Sequence, residues 1–166
     1  PLLDAGASAA ATPADLAERV DILVSIVADA PDVHEVMLGE SGVARGAKSG
    51  MVAVDMSTIL PEAARRIGME LLAAGVDFLD APVSGGEPKA IEGTLAIMVG
   101  GDAKAFETVK PILEKMGSSV VRVGDIGAGN VTKLANQIIV ALNIAAVSEA
   151  FVLATRAGVN PEAVFN

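Results

Sequence analysis

The sequence predicts an α/β fold, in which a doubly wound and mostly parallel sheet is followed by the start of an all-α domain. Short β-branched runs alternate with helical segments of about 10–15 residues, which is typical of parallel sheets with crossover helices. The alternation ends after Val123, and a long apolar helical segment follows with no further strand. We therefore expect two domains, over residues 1–126 and 127–166.

The first predicted elements are a helix, a buried strand and a second helix. Thr12 before Pro13 marks a helix start, with Thr12 as the N-cap. Residues 20–27 form a nearly continuous β-branched run, which predicts a strand buried on both faces. A short helix over 31–38 then ends at Gly39.

Strands and helices continue to alternate along the middle of the chain. Asp102 is the expected N-cap of one helix, and glycines at 75 and 117 follow two helix ends. The expected strands cover 51–56, 76–79, 94–99 and 119–123, and the expected helices cover 61–74 and about 103–116.

A long apolar helix is expected over 130–157, and another begins at Asn160-Pro161. A membrane span of about 20 residues tolerates few polar groups. We therefore expect a buried helix of a soluble protein, because six polar or charged residues interrupt it: Lys133, Asn136, Gln137, Asn143, Glu149 and Arg156.

Composition argues against several classes of partner and site. The net charge is −9 and aromatic residues make up 2% of the chain, so neither nucleic acid nor a membrane surface is an expected partner. The absence of cysteine excludes thiolate catalysis and cysteine-ligated metals, and the single histidine, His34, is expected at the surface. We expect no metal site. No secretory signal is visible in the first twenty residues, which is compatible with a cytoplasmic location.

Polar residues follow the predicted strands at the positions where open α/β sheets bind ligands. Ser57 and Thr58 follow one strand and offer hydroxyls and amides to a nucleotide, although capping of the next helix is an alternative. Ala28 lies at the end of the first strand. Asp55 and Asp80 are expected to anchor loops rather than to react.

Two glycine-containing segments could also bind anions. Ser84-Gly85-Gly86 could hold a carboxylate, because glycines allow close approach of the backbone, but an ordinary tight turn is equally compatible. Residues 87–89 are expected to extend this loop, with Lys89 in solvent. Residues 124–129 match neither the dinucleotide fingerprint nor the P-loop, so they predict a flexible interdomain turn.

Lys133 is the strongest catalytic candidate. It lies near the start of the long helix, with Asn136 and Gln137 at i+3 and i+4 on the same face. Burial and the positive end of the helix dipole would both lower its pKa, which suits acid–base chemistry. A lysine that extends into solvent is the alternative.

Three segments resemble the β-hydroxyacid dehydrogenase family, and the resemblance covers nearly the whole chain. Residues 80–101 resemble its substrate-binding segment, residues 127–140 its catalytic-lysine segment, and residues 55–58 its cofactor-side segment. The resemblance implies a Rossmann-like fold and NAD or NADP as cofactor, with NADH favoured. It also implies a small aldehyde or hydroxyacid carboxylate as substrate and a homo-oligomeric enzyme.

The resemblance also implies residue roles. Ser84, Gly85 and Gly86 would bind the substrate carboxylate, Thr58 would contact the nicotinamide end of the cofactor, and Lys133 would be the general acid. Many members carry Asn four residues after the lysine, where this chain has Gln137 preceded by Asn136, so which amide faces the substrate stays open.

Within the family the implied reaction is reduction of tartronate semialdehyde to D-glycerate. Oxidation of 3-hydroxyisobutyrate or 4-hydroxybutyrate is one alternative, and a non-catalytic binding or assembly module is another. The family begins with a strand and a glycine-rich dinucleotide loop that do not precede residue 1 here. We therefore expect a native enzyme that is longer at both ends, and a fragment that binds NAD poorly.

Overall fold

A computed structural model describes residues 2–165, which divide into two compact units, one up to Lys133 and the other from Leu134 onward. The elements alternate as the sequence predicts. In chain order they are α1 (Pro13–Ala17), β1 (Ile22–Ser25), α2 (Ala30–Leu38), α3 (Val43–Gly46), β2 (Val52–Asp55), α4 (Pro61–Ala73), β3 (Asp77–Asp80), β4 (Val83–Ser84), α5 (Gly86–Ile91), β5 (Leu95–Gly100), α6 (Ala103–Leu113), β6 (Gly117–Gly124), α7 (Ala128–Arg156) and α8 (Pro161–Phe165).

A six-stranded sheet organises the described part of the first unit, residues 2–133. Strands β1, β2 and β3 are parallel, and β6 is parallel to β5. Strand β5 runs antiparallel to β3 and β4, which follow one another along the same edge, since Asp80 pairs with Gly100 and Ser84 with Ala96. The predicted α/β class and mostly parallel sheet are confirmed. The antiparallel pairing of β5 was not predicted, because β4 has only two residues and leaves no periodic signal in the sequence.

Helices cover both faces of the sheet, as a doubly wound fold requires. Ala53 and Phe78 pack into a core with α2 and α4, whereas Val54 and Leu79 pack into a second core with α6. Successive residues of a strand point to opposite faces, so adjacent positions on β2 and β3 belong to different cores.

The prediction that the first strand is buried on both faces is wrong. Val24 is 41% exposed and Ile26, just beyond β1, is 65% exposed. Within residues 2–165, β1 pairs only with β2 and so lies at an edge of the sheet. A β-branched run reports the preference for a strand but does not say whether both faces have neighbours.

The predicted helix caps are largely confirmed. Thr12 accepts a hydrogen bond from the Asp15 amide, and Asp102 accepts from the amides of Lys104 and Ala105. Gly75 adopts a positive φ of 80° after α4. The expected end of the next helix is wrong, since α6 ends at Leu113 and Gly117 begins β6.

Two short helices were not predicted. Residues 87–89 do not extend a loop but belong to α5, where Lys89 is exposed as expected. Helix α3, of four residues, was missed as well. Both are too short for helical periodicity to stand out from turns.

The long helix α7 starts at Ala128, two residues before the expected position. Most of its apolar side chains beyond Lys133 are exposed, among them Ile138, Leu142 and Ile144, so the expectation of a buried helix is wrong for this chain. Over residues 134–165 the second unit consists of the remainder of α7 and the short α8, and these two helices form no second layer. Within residues 2–165, α7 meets the length and hydropathy of a membrane span, with a mean hydropathy of 2.1. Core helices of soluble proteins meet the same criteria, so this does not place the chain in a membrane.

Candidate active site

The carboxyl ends of the three parallel strands carry a row of polar residues. Ser25 pairs in register with Asp55, and Asp55 with Asp80. Open α/β sheets bind ligands just beyond such ends. All three residues are buried, so their first role is to hold the loops that follow.

Asp55 joins the ends of β1 and β2. Its Oδ1 accepts hydrogen bonds from the hydroxyls of Ser25 at 2.8 Å and Ser57 at 2.7 Å, while Ser57 Oγ accepts from the Val27 amide at 2.9 Å. Asp55 Oδ2 is buried without a hydrogen-bond partner among the described residues. Desolvation by burial outweighs the hydrogen bonds and raises the pKa of Asp55. Asp55 is therefore a loop anchor, as its sequence position indicates.

Ser57 and Thr58 occupy different environments although they are neighbours. Ser57 is 1% exposed and its hydroxyl is used by Asp55 and Val27. Thr58 is exposed at the surface of the same loop. Neither residue caps α4, whose N-cap is Leu60 without a side-chain hydrogen bond. Thr58 thus offers a hydroxyl to a ligand, whereas Ser57 supports the loop.

Asp80 fixes the start of α7. Its Oδ1 accepts from the Gly127 amide at 2.7 Å, and its Oδ2 accepts from the Asn130 amide at 2.8 Å and from Asn130 Nδ2 at 3.2 Å. These groups belong to the helix start, whose amides lack intrahelical acceptors and whose dipole favours negative charge. Burial, the largest influence on this carboxyl, raises the pKa of Asp80. Asp80 is thus also an anchor.

The turn before α7 is tightly held. Besides the bond from Gly127 to Asp80, the Arg122 side chain pairs with Asp125 at 2.9 Å and donates to the Gly101 carbonyl. At Gly129, in the first turn of α7, a side chain would collide with the carbonyl oxygens of Asp80 and Met98. The segment expected to be a flexible turn is therefore a short connection in which glycine permits close packing of the helix start on the sheet.

Lys133 lies one turn beyond these anchored residues, at the end of the first unit. The residue is partly buried, and desolvation lowers the pKa of its ammonium group. Within the described part of the first unit, the ammonium has no hydrogen bond or ion pair. A lysine with these properties can donate a proton at moderate pH.

The segment from Ser84 to Gly86 connects β4 to α5. Ser84 is partly buried, and both glycines have positive φ values, 141° and 67°. A side chain at Gly85 would collide with Lys89, whereas Gly86 is open, with Pro88 Cδ 3.8 Å from an added Cβ. The backbone at Gly86 is consequently accessible to a carboxylate.

The remaining candidates are Ala28, Asn136 and Gln137. Ala28 is exposed in the connection between β1 and α2, next to Asp29, which caps α2. Asn136 and Gln137 lie in the second unit, where Asn136 Nδ2 donates to Gln137 Oε1 at 3.3 Å. The structure does not single out either amide as the substrate-facing one. His34 is exposed, as expected.

Two family models match consecutive parts of the chain. Residues 1–124 match the NAD binding domain of 6-phosphogluconate dehydrogenase, and residues 127–166 match the NAD-binding domain of NADP-dependent 3-hydroxyisobutyrate dehydrogenase. The chain belongs to the β-hydroxyacid dehydrogenase family. Its Rossmann-like fold is that of NAD(P)-binding domains of this family.

Similar proteins include a reductase and a dehydrogenase whose substrates are given in their names. A 2-hydroxy-3-oxopropionate reductase of Escherichia coli is 49% identical over 160 residues, which are 96% of this chain and 55% of the relative. A crystal structure of an oxidoreductase from Mycobacterium avium aligns with TM-score 0.89 and 38% identity, over 99% of this chain and 58% of the other. The 3-hydroxyisobutyrate dehydrogenase of Mycobacterium tuberculosis, solved with L-serine, aligns with TM-score 0.85 and 32% identity, over 92% and 51%. The chain spans about half the length of the relatives it matches.

Sequence reasoning missed Asn130. This residue is fully buried at the start of α7, and its Oδ1 accepts from the Ile59 amide at 3.0 Å. The available signal was a polar residue three positions before Lys133 in an otherwise apolar segment. Its partners, however, lie far away in the sequence and leave no local pattern.

Proposed function

We propose that the whole protein carrying this chain reduces tartronate semialdehyde (2-hydroxy-3-oxopropanoate) to D-glycerate with a nicotinamide cofactor. The proposal is carried by the environment of Lys133. This lysine is partly buried, its pKa is lowered, and it follows the start of α7 that Asp80 holds by hydrogen bonds. The similarity to the reductase of E. coli supports this substrate within the family.

We infer that Lys133 is the general acid. As hydride reaches the carbonyl carbon, the carbonyl oxygen gains negative charge and takes a proton from Lys133 Nζ, which leaves a neutral amine. Before transfer, the ammonium stabilises the developing charge. Desolvation assists both effects, since it lowers the pKa of Lys133.

The cofactor would bind at the carboxyl ends of the parallel strands. The reduced cofactor, NADH or NADPH with NADH favoured, would supply the hydride when bound. The chain fits such a ligand here, because Thr58 is exposed on a loop that Ser57 and Asp55 hold from beneath. Ala28 is also exposed at this edge and would contact the cofactor.

Ser84, Gly85 and Gly86 would bind the substrate carboxylate. The accessible backbone at Gly86 and the hydroxyl of Ser84 supply the donors that a carboxylate needs. Asn136 or Gln137 would add an amide contact to the substrate.

Turnover of three aldehydes tests the proposal. The whole natural gene product is assayed with tartronate, methylmalonate and succinate semialdehydes, with NADH and with NADPH, beside Lys133→Ala. We expect the highest kcat/KM for tartronate semialdehyde and loss of turnover in the variant. Preference for methylmalonate semialdehyde would favour the 3-hydroxyisobutyrate reaction, which is the reaction named for the M. tuberculosis dehydrogenase. Inertness toward all three would favour a non-catalytic binding module.

We also propose a homo-oligomer in the cytoplasm. The exposed apolar side chains of α7 support association, because large exposed apolar surfaces often mark protein–protein interfaces. Light scattering and cell fractionation of the whole protein test both points, and a monomer or a membrane-bound protein would contradict them.

A further inference from the structure

Asn130 uses both ends of its side-chain amide in the protein interior. The residue is fully buried, its Nδ2 donates to Asp80 Oδ2 at 3.2 Å, and its Oδ1 accepts from the Ile59 amide at 3.0 Å. One bond reaches the end of β3 and the other reaches the loop after β2. Asn130 therefore joins three elements that are separate in the sequence.

Helix capping does not explain the bond to Ile59. Asp80 already accepts from the amides of Gly127 and Asn130 at the start of α7. The Oδ1 of Asn130 satisfies an amide of a different element, and a buried amide without a partner is costly. The side chain thus serves the loop rather than the helix.

The residues joined in this way are neighbours of two proposed functional groups. Ile59 directly follows Thr58, and its side chain is 3% exposed in the core. Asn130 precedes Lys133 by three residues, or about one helical turn. The hydrogen bond between Asn130 and the Ile59 amide therefore connects the loop of Thr58 to the part of α7 that carries Lys133.

We propose that Asn130 is a positioning residue, which ties the Thr58 loop to the first turn of α7 and so sets Lys133 relative to the cofactor side of the site. The inference rests on the proposed dehydrogenase function. Asn130 itself does not react. Its loss misplaces the proton donor, and small misplacements of reacting groups cost rate rather than binding.

Two substitutions of Asn130 and one control distinguish loss of its side-chain hydrogen bonds from a general loss of folding stability. Asn130→Ala removes both side-chain bonds. Asn130→Asp keeps an acceptor for the Ile59 amide, and it restores a donor to Asp80 only when one of the two neighbouring carboxyls is protonated, which lower pH favours. Leu113→Ala, at the last residue of α6, is the control for lost stability, because Leu113 is fully buried in the core on the α6 side of the sheet and its side chain makes no hydrogen bond.

Kinetics of the whole natural protein give the first readout. We expect Asn130→Ala to lower kcat about tenfold or more, with KM for the aldehyde within about threefold. Asn130→Asp should recover more of kcat as the pH is lowered, and Leu113→Ala should keep kcat below its melting temperature. Equal kcat in Asn130→Ala and Leu113→Ala would overturn the proposal, as would equal losses in the Ala and Asp variants.

Hydrogen exchange gives a second readout that needs no turnover. Exchange of the Ile59 amide should accelerate roughly tenfold in Asn130→Ala and stay near the wild-type rate in Asn130→Asp. If the wild type reduces none of the aldehydes, the proposed function fails while exchange still decides whether the tie exists. Unchanged exchange at Ile59 in Asn130→Ala would refute the tie whatever the activity.

Discussion

Asp55 and Asp80 pair in register on neighbouring parallel strands, yet their carboxylates are satisfied in different ways. Both oxygens of Asp80 accept hydrogen bonds, from Gly127 and Asn130. Asp55 uses only Oδ1, and its Oδ2 is buried without a partner among the described residues. The same residue type at the same register therefore anchors a helix in one strand and a loop in the next.

This difference predicts unequal effects of removing the charge. Asp80→Asn places an amide donor against N–H groups and should lower the free energy of unfolding by about 1–3 kcal/mol. Asp55→Asn keeps the acceptor for Ser25 and Ser57 and replaces only the unpartnered oxygen, so a change within about 1 kcal/mol is expected. Urea unfolding of both variants measures this, and equal losses would contradict it.

Burial of Asp55 also predicts a pH dependence of stability. Its folded pKa is raised, so the folded state holds the proton more tightly than the unfolded state, whose value is near 3.8. The contribution of Asp55 is full below that pH and is lost as pH rises to the folded pKa. Relative to wild type, Asp55→Asn should therefore gain stability across this window. If the free energy of unfolding of Asp55→Asn instead fell relative to wild type as pH rose, the pKa of Asp55 in the folded state would be lowered rather than raised.

Lys133 should determine the rate of reduction. Lys133→Ala should lower kcat by about 10²–10⁴-fold, the usual contribution of a general acid, while Lys48→Ala, at an exposed lysine, should leave it unchanged. The acid form is lost as pH rises through the lysine pKa, which burial lowers from 10.5. The pH profile of kcat should therefore fall earlier on the alkaline side than an ordinary lysine allows. Persistence of that fall in Lys133→Ala would assign it to another group.

Ser57 and Thr58 should respond in opposite ways to loss of their hydroxyls. Ser57→Ala removes bonds to Asp55 and Val27 and should cost about 1–2 kcal/mol of stability. Thr58→Ala changes an exposed side chain, so its stability should stay within about 0.5 kcal/mol while the cofactor Kd rises. Thermal unfolding and fluorescence titration with NADH measure the two effects. An unchanged Kd in Thr58→Ala would remove Thr58 from the proposed cofactor site.

Ser84 should affect substrate binding more than cofactor binding. Ser84→Ala should raise KM for the carboxylate-bearing aldehyde roughly tenfold, because a hydrogen bond to a charged group is lost. The Kd of NADH should not change. Ser119→Ala, at an exposed serine of β6, is the matched control. A rise in KM with an uncharged aldehyde of similar size would argue against carboxylate recognition.

Local signals sufficed for much of the fold. The caps at Thr12 and Asp102 were readable because each lies within three residues of the amides it binds. The burial of β1 and α7 was not readable, because exposure depends on which neighbours cover a face. A run such as 20–27 has the same composition at the centre and at the edge of a sheet.

The sequence by itself determined the alternation of strands and helices, the family motifs and the candidate role of Lys133. Only the tertiary structure decided how the candidate site is held together. Asn130 is 50 residues from Asp80 and 71 from Ile59 along the chain, and Asp55 meets Ser25 across 30 residues. Periodicity and capping rules describe contacts within a few residues, whereas these buried bonds form only after strands and helix pack and exclude water from their polar groups.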